Sequence, residues 1–356
     1  MKIGLYILGL FLTHTVFSAP QFHHSPPDFH GQFDLNTGHL CSTAKHTLAY
    51  LNKGTAYDPK VIHGGKVASI PLARVKATLE FICQHQNQMN DPEFIKQHFE
   101  FIRWFPDTSR AKRLAARKPV LSNLPNNQIL MTKYYVHLAD AKTQASATTP
   151  YALYGLPAEE GHLTVEQANV RPELIRFKYG KQAILHGSLQ NQKVPVLAYL
   201  SRDDLESALL QGTVVTDFGH RLGKKTFNVH RNNNKEYDRT KKPYEQERFW
   251  YFKEVDGIKG YGKDAEYKIT IYPKVTFAAD LNQFGLGKVL MIQYPDKAGS
   301  KVSRIGIFAD TGGAFDDNLY QVDYLVGSYP GKEAFYKAVR GVPDYVDAYF
   351  MVLKSK

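Results

Sequence analysis

Cysteine is scarce: the 356-residue chain holds two, Cys41 and Cys83. No recognised motif surrounds either, so neither reads as a catalytic nucleophile. They are either two buried thiols or a pair, and in an oxidising compartment the expectation is a Cys41–Cys83 disulfide. Long apolar runs are lacking as well. The longest, Ile3 to Leu12, is too short to span a bilayer. No Gly-x-Ser-x-Gly occurs, which leaves no serine nucleophile elbow. The phosphate-loop look-alike "GHRLGKKT" (219–226) is one residue short and has Lys225 where Ser or Thr would hold magnesium. No fixed-period repeat is visible, which excludes a solenoid or propeller.

What the chain has in excess is positive charge and aromatic rings. Lys and Arg outnumber Asp and Glu by 45 to 34, a net charge of +11, and there are 22 Tyr and 21 Phe. Such a surface suits an anionic polymer: nucleic acid, an acidic membrane surface or an acidic glycan. The N-terminus narrows this choice. "MKIGLYILGLFLTHTVFSAP" carries Lys2, a short apolar run and then small residues, the pattern of a secretory signal peptide over 1–18. It contains no cysteine for a lipid anchor. An exported chain does not meet DNA or RNA, so the basic charge points to a glycan or envelope surface, in the periplasm or outside the cell.

Residues 19–36, rich in Pro, His and polar residues, read as a poorly ordered leader. Its His23, His24 and His30 have no metal-ligand spacing. Helical periodicity follows over 69–85, and again over 90–105, where Asp91 is the N-cap and Pro106 the stop. From about 129 the texture changes to short β-type runs broken by Gly, Asn, Asp and Pro: 128–138, 182–189, 194–200, 226–230, 248–255, 267–279, 288–294, 303–310 and 348–354. One helix interrupts them, with Ser201 as cap and Gly212 as stop. Many short strands without regular helix alternation indicate a mainly β barrel or sandwich. The loop 231–248, "RNNNKEYDRTKKPYEQER", is a charged surface that an anionic polymer could touch.

The chemistry concentrates in "FADTGGAFDDNLYQVDYLVGS" (308–328). An alternating strand ends on Asp310; Gly312 and Gly313 allow a tight turn or a close ligand; a second strand carries Asp323. A carboxylate within an apolar strand is costly unless paired, hydrogen-bonded or protonated. Burial and a second carboxylate both raise its pKa, and a carboxyl kept protonated near neutrality can act as a general acid. The bland alternative is a turn-capping Asp310 and an outward-facing Asp323.

This segment resembles the C-terminal three-aspartate region of the membrane-bound lytic murein transglycosylase A family. "FAADLNQFGLGKVLMI" matches the family's earlier aspartate at Asp280, and "TKYYVHL" its strand with Thr132, Tyr134 and Tyr135. "PYALYGLP", "RPEL", "LSRDDLESALLQG" and "AYFMVLK" follow in the family's order, so the likeness runs from about 129 to 355. It implies a six-stranded double-psi β-barrel with an inserted second β-domain and N-terminal helices. The expected divisions are 37–137 for the helices and first barrel strand, 138–246 for the insertion and 247–356 for the barrel. A glycan would lie in the groove between the two. The implied partner is the peptidoglycan strand, met by a monomer without metal or cofactor. Asp323 would be the single acid/base for cleavage between N-acetylmuramic acid and N-acetylglucosamine, with a 1,6-anhydro product. Asp310, supported by Asp280, would orient the site and raise the pKa of Asp323. Thr132, Tyr134, Tyr135, Gly312 and Gly313 would contact sugar.

The chain departs from the family at Phe315-Asp316-Asp317-Asn318, a loop about two residues longer, and its insertion is shortened. Those departures keep two rival readings open: an expansin-like module that grips glycan without cutting it, and a hydrolase pairing Asp323 with Asp310 or Asp317. The export reading is tested directly by N-terminal sequencing of the exported protein, which is expected to begin at Ala19. A retained first segment or an acylated terminus would contradict it.

Overall fold

The computed structural model describes residues 19–313 and 315–355. The export signal read over 1–18 lies outside the described residues. In chain order the elements are β1 (Gln21–His24), β2 (Gln32–Phe33), α1 (Thr37–Leu51), α2 (Leu72–Gln84), α3 (Pro92–His98), β3 (Phe99–Phe105), α4 (Thr108–Leu114) and β4 (Ile129–Asp140). Then come β5 (Tyr151–Tyr154), α5 (Val165–Asn169), α6 (Ile175–Lys178), α7 (Lys181–Leu185), β6 (Val196–Leu200), α8 (Arg202–Gln211), β7 (Thr213–Asp217), β8 (Lys224–Asn232) and β9 (Trp250–Val255). The chain ends with β10 (Thr276–Ala278), α9 (Leu281–Phe284), β11 (Val289–Pro295), β12 (Lys301–Asp310), β13 (Gln321–Tyr329), α10 (Lys332–Ala338) and β14 (Tyr345–Leu353).

Six strands close on themselves in the order β14-β11-β12-β10-β13-β4, because β4 pairs back onto β14 through Leu130 opposite Tyr345 and Ile129 opposite Val346. The strand β11 shows why. Val289, Leu290, Met291, Ile292 and Gln293 are all buried, so both faces of the strand are covered. One face meets the interior of the ring and the other meets packed elements, as a run without alternation demands. The helices α1 and α2 pack outside this ring, and Cys41 of α1 is bonded to Cys83 of α2. Asn36 caps α1 by accepting from the His39 N–H, and Asp91 caps α3 through the Glu93 N–H.

The strand β4 is long enough to serve two bodies. Its first half is in the ring. Its second half, His137–Asp140, pairs in parallel with Val214–Asp217 of β7 and so carries β7, β8 and β9. With the antiparallel pair β5–β6 and α8 these enclose a separate core of Ala139, Leu153, Leu200, Leu205, Val214, Phe227 and Phe252. Ser201 caps α8, and Gly212 ends it in the left-handed conformation.

Four expectations are corrected. The leader at 19–36 is paired: β1 lies antiparallel on β3, β2 parallel on β12, and Phe22 packs on Phe284 and Phe350. It covers β3, which would otherwise be an open edge. The helix expected to run to Phe105 ends at His98, because 99–105 is recruited as a ladder between β14 and β1. Residues 182–189 supply part of α7 rather than a strand, and only 276–278 of the run 267–279 is strand. The strand β9 pairs with β8 and joins the sheet carried by β4. No helix among the described residues is long and apolar enough to cross a membrane.

The disulfide closes a sequence separation of 42 residues. Cross-linking a loop of that size removes unfolded-state entropy equivalent to about 4 kcal/mol at 25 °C. Thiol titration of the denatured, unreduced protein is expected to find no free thiol. Thermal unfolding in reductant should shift clearly downward; an unchanged midpoint would show that the bridge does not restrain the unfolded chain.

Candidate active site

The strand β10 has three described residues, and it sets the geometry of the site. Ala278 is paired with Asp310 of β12 on one side and with Asp323 of β13 on the other, and Asp323 is paired in turn with Thr132 of β4. Asp310, Ala278, Asp323 and Thr132 thus form one row across four strands, with side chains on one face. At ordinary strand spacing the two aspartate backbones are about 10 Å apart.

Asp310 reaches that face through an irregularity. Phe277 pairs with Phe308, and the next pair is Ala278 with Asp310, so Ala309 is an extra residue in β12. In an unbroken ladder Asp310 would point with Phe277 and Phe308 into the core, where both rings are fully buried. The bulge turns it outward instead. The Ala309 carbonyl accepts from the Tyr261 N–H at 2.9 Å. Gly260 lies so close that a Cβ there would come within 2.5 Å of the same oxygen. The bulge therefore also docks the irregular arm 256–272.

The two carboxyl groups are held differently. On Asp323, Oδ1 accepts from the Thr132 hydroxyl and from the Gln321 amide (2.6 Å), and the Lys118 ammonium donates to Gln321 Oε1 at 2.5 Å. Among the described residues nothing donates to its Oδ2. On Asp310 both oxygens are engaged: the Tyr134 hydroxyl donates to Oδ2 at 2.7 Å and the Thr311 N–H to Oδ1 at 2.9 Å. Burial raises the Asp323 pKa above its ordinary value, against the pull of Gln321 and Lys118. Burial lifts Asp310 to about 6; Tyr134, Thr311 and Lys268 oppose the rise, and the Asp323 charge adds to it. The like-charge effect is thus carried on Asp310.

Asp280 stands apart from this pair. It is 1% exposed and caps α9, accepting from the Gln283 N–H (3.1 Å) and, through Oδ2, from the Asn318 N–H (3.0 Å). It anchors the loop between β12 and β13. Gly312 and Gly313 have no positive φ, and a Cβ on either would meet nothing within 4 Å, so they leave open space at the lip rather than form a forced turn. In the family-divergent loop, Asp317 is half exposed and ion-paired to Arg110 at 2.6 Å. That pairing places it away from the aspartate row's hydrogen bonds.

A cleft of about 620 Å³ runs between the ring and the second unit, lined by Tyr134, Tyr135, Asn228, Lys268, Asp310 and Thr311 among others. Its wall includes the 258–262 part of the docked arm. Asp310 lines it, whereas Asp323 is not among the lining residues. Tyr135 stacks on Phe335 with centroids 4.7 Å apart. Lys268 donates to Asn228 Oδ1 at 2.9 Å and is the cation nearest Asp310 in effect.

The strands bring the sequence-singled Asp310, Asp323, Thr132 and Tyr134 into one neighbourhood and add Gln321, Lys118 and Lys268, which the sequence did not point to. Gln321 was within reach of it, since residues two apart share a strand face. Lys118 and Lys268 come from segments without any motif. Among the described residues no group of three or more His, Cys, Asp or Glu is placed to hold a metal ion.

No protein-family model and no curated protein matches the chain. Solved structures do. MltA of E. coli with bound chitohexaose is similar at TM-score 0.60 and 15% identity, over 95% of this chain and 96% of that one. A membrane-bound lytic murein transglycosylase from Agrobacterium tumefaciens gives 0.57 at 16% identity, over 93% and 97%. MltA from Neisseria gonorrhoeae gives 0.52 at 16% identity, over 88% of each. Taken with the closed six-stranded ring and its side unit, these likenesses over nearly whole chains show that the protein has the fold of the lytic murein transglycosylases.

Proposed function

We propose that the protein is a lytic transglycosylase of peptidoglycan and that its closed ring is a double-psi β-barrel. The observation that carries the reading is the asymmetry of the two carboxyl groups: among the described residues Asp323 has one oxygen held by Thr132 and Gln321 and one uncommitted, while Asp310 has both oxygens engaged. A group that must give and take a proton needs a free oxygen; a group that shapes the field does not. The shared fold with murein transglycosylases supports the substrate class, as does the binding of chitohexaose by the E. coli protein.

In this reading protonated Asp323 donates through Oδ2 to the glycosidic oxygen as the C1–O bond breaks. The oxocarbenium-like sugar is attacked at C1 by its own 6-hydroxyl, whose proton passes to the Asp323 carboxylate. The ring closes to a 1,6-anhydro sugar and the acid is restored, so one carboxyl group and no water suffice. Asp310 closes the other end of the row with both oxygens held, Tyr134 and Tyr135 bound the sugar site, and the bare edge at Gly312 and Gly313 admits the chain. The enzyme acts as an exported monomer without metal or cofactor.

A second reading is hydrolysis by Asp323 and Asp310 together, favoured by the position of Asp310 on the cleft wall and its pKa of about 6. The two readings separate in the product, an anhydro sugar in the first and a reducing end in the second, and both need Asp323. Asp323→Asn keeps the shape but cannot cycle a proton, so cleavage should fall by roughly 10²–10⁴-fold while glycan binding survives. Asp317→Asn should leave activity unchanged. A folded Asp323→Asn protein that cleaves like the parent would remove Asp323 from the mechanism.

The pH profile gives an independent check. The acid must start protonated, so the rate falls as pH rises through the raised pKa of Asp323. The charge on Asp323 is one of the causes that raise Asp310. Asp323→Asn removes that charge, so the Asp310 carboxyl should titrate at lower pH, read by NMR of its side-chain carboxyl carbon. An unmoved Asp310 titration would mean that the two groups do not share a field.

A further inference from the structure

A second pocket, of about 300 Å³, opens in the inserted unit next to the cleft, and Gln211, Gly212 and Val229 line both. Arg248 is its distinctive group. Its guanidinium lies 4.8 Å from the ring centre of Trp250, and its buried Nε has no hydrogen-bond partner. Among the described residues Arg248 makes no ion pair, although Arg176, Arg202 and Arg231 of the same unit all do. A buried donor left unpaired destabilises a fold unless a partner arrives from outside. Stacking on an aromatic face leaves the edge of the guanidinium free, and that edge fits a carboxylate in a two-pronged contact.

The surroundings favour an anion with an apolar body. Lys181 pairs with Glu206, so the charged lining residues Lys181, Arg248 and Glu206 carry two positive charges against one negative. Leu210 and Tyr237, 71% and 47% exposed, stand at the same pocket. They offer apolar contact that a bare inorganic anion would not use.

We propose that the Arg248–Trp250 pocket is a carboxylate-recognition site for a short acidic peptide carried as a side branch by the polymer in the cleft. The peptide-bearing polymer is the part that rests on the proposed function; the carboxylate site rests on Arg248 alone. Occupied in this way, the pocket selects peptide-substituted glycan over bare glycan.

The test is a titration of the whole protein with a synthetic tetrapeptide ending in a free carboxylate, and with its C-terminal amide, followed by tryptophan fluorescence. The chain has two tryptophans, and Trp104 is fully buried, so the response reports Trp250. The acid should bind about 10- to 100-fold more tightly than the amide, the range for one charge-assisted bidentate contact. Arg248→Met should abolish that preference, with Arg248→Lys between the two. Trp250→Phe, followed by calorimetry, should weaken the acid without unfolding the protein. In cleavage assays Arg248→Met should raise KM for peptide-bearing glycan and leave peptide-free glycan unchanged. Equal affinity for acid and amide, no binding at all, or equally tight binding of inorganic phosphate would overturn the site. Peptide binding without any glycan cleavage would instead overturn the proposed function and leave the site standing.

Discussion

One extra residue in a strand, Ala309, is the constraint on which the rest of the site depends. It reverses the facing of Asp310, moving a carboxyl group from the core side of the ring to the row that holds Asp323 and Thr132. Its carbonyl, displaced from the ladder, is taken by Tyr261. That bond pins the arm at Tyr261, whose side chain is tied down too: the Tyr261 hydroxyl and the Tyr50 hydroxyl of α1 both donate to the buried Asp58 at 2.8 Å. A single backbone irregularity thus aims a charge, builds a cleft wall and links the ring to the outer helices.

The three aspartates that the sequence singles out meet the cost of burial in three ways. Asp280 gives its oxygens to backbone N–H groups and becomes a joint between α9 and the loop after β12. Asp310 is boxed in by Tyr134 and Thr311. Among the described residues Asp323 is held on one oxygen only. Burial raises all three. Their chemistry differs because the number of committed oxygens differs, and that number is set by which strand or helix end each occupies.

Much of this was legible in the sequence. Short runs of β-branched and aromatic residues located most ring strands, and the caps Asp91 and Ser201 and the stop Gly212 marked their helices. The aspartate spacing placed Asp310 and Asp323 on two strands consecutive in sequence, which the sheet separates by β10. What escaped was set by tertiary pairing. Phe99–Phe105 continues a helical stripe yet becomes a strand because β14 and β1 supply its partners. The leader's composition suggests disorder, but Phe22 finds Phe284 and Phe350. Lys118 acts on Asp323 through Gln321, a relay of 203 positions that no local pattern announces. The bulge at Ala309 left no residue signal either, since alanine fits a regular strand as well as an irregular one.

The claim at the centre is that one carboxyl group, free on one oxygen, closes a sugar onto itself without water. Digestion of purified peptidoglycan sacculi with the protein, followed by mass spectrometry of the released fragments, tests it most directly. Fragments ending in 1,6-anhydro-N-acetylmuramic acid, one water lighter than hydrolysis products, are the expected result. Fragments with reducing ends would assign the work to the Asp323–Asp310 pair and water, and the absence of any release would make the ring a glycan-binding module and contradict the account.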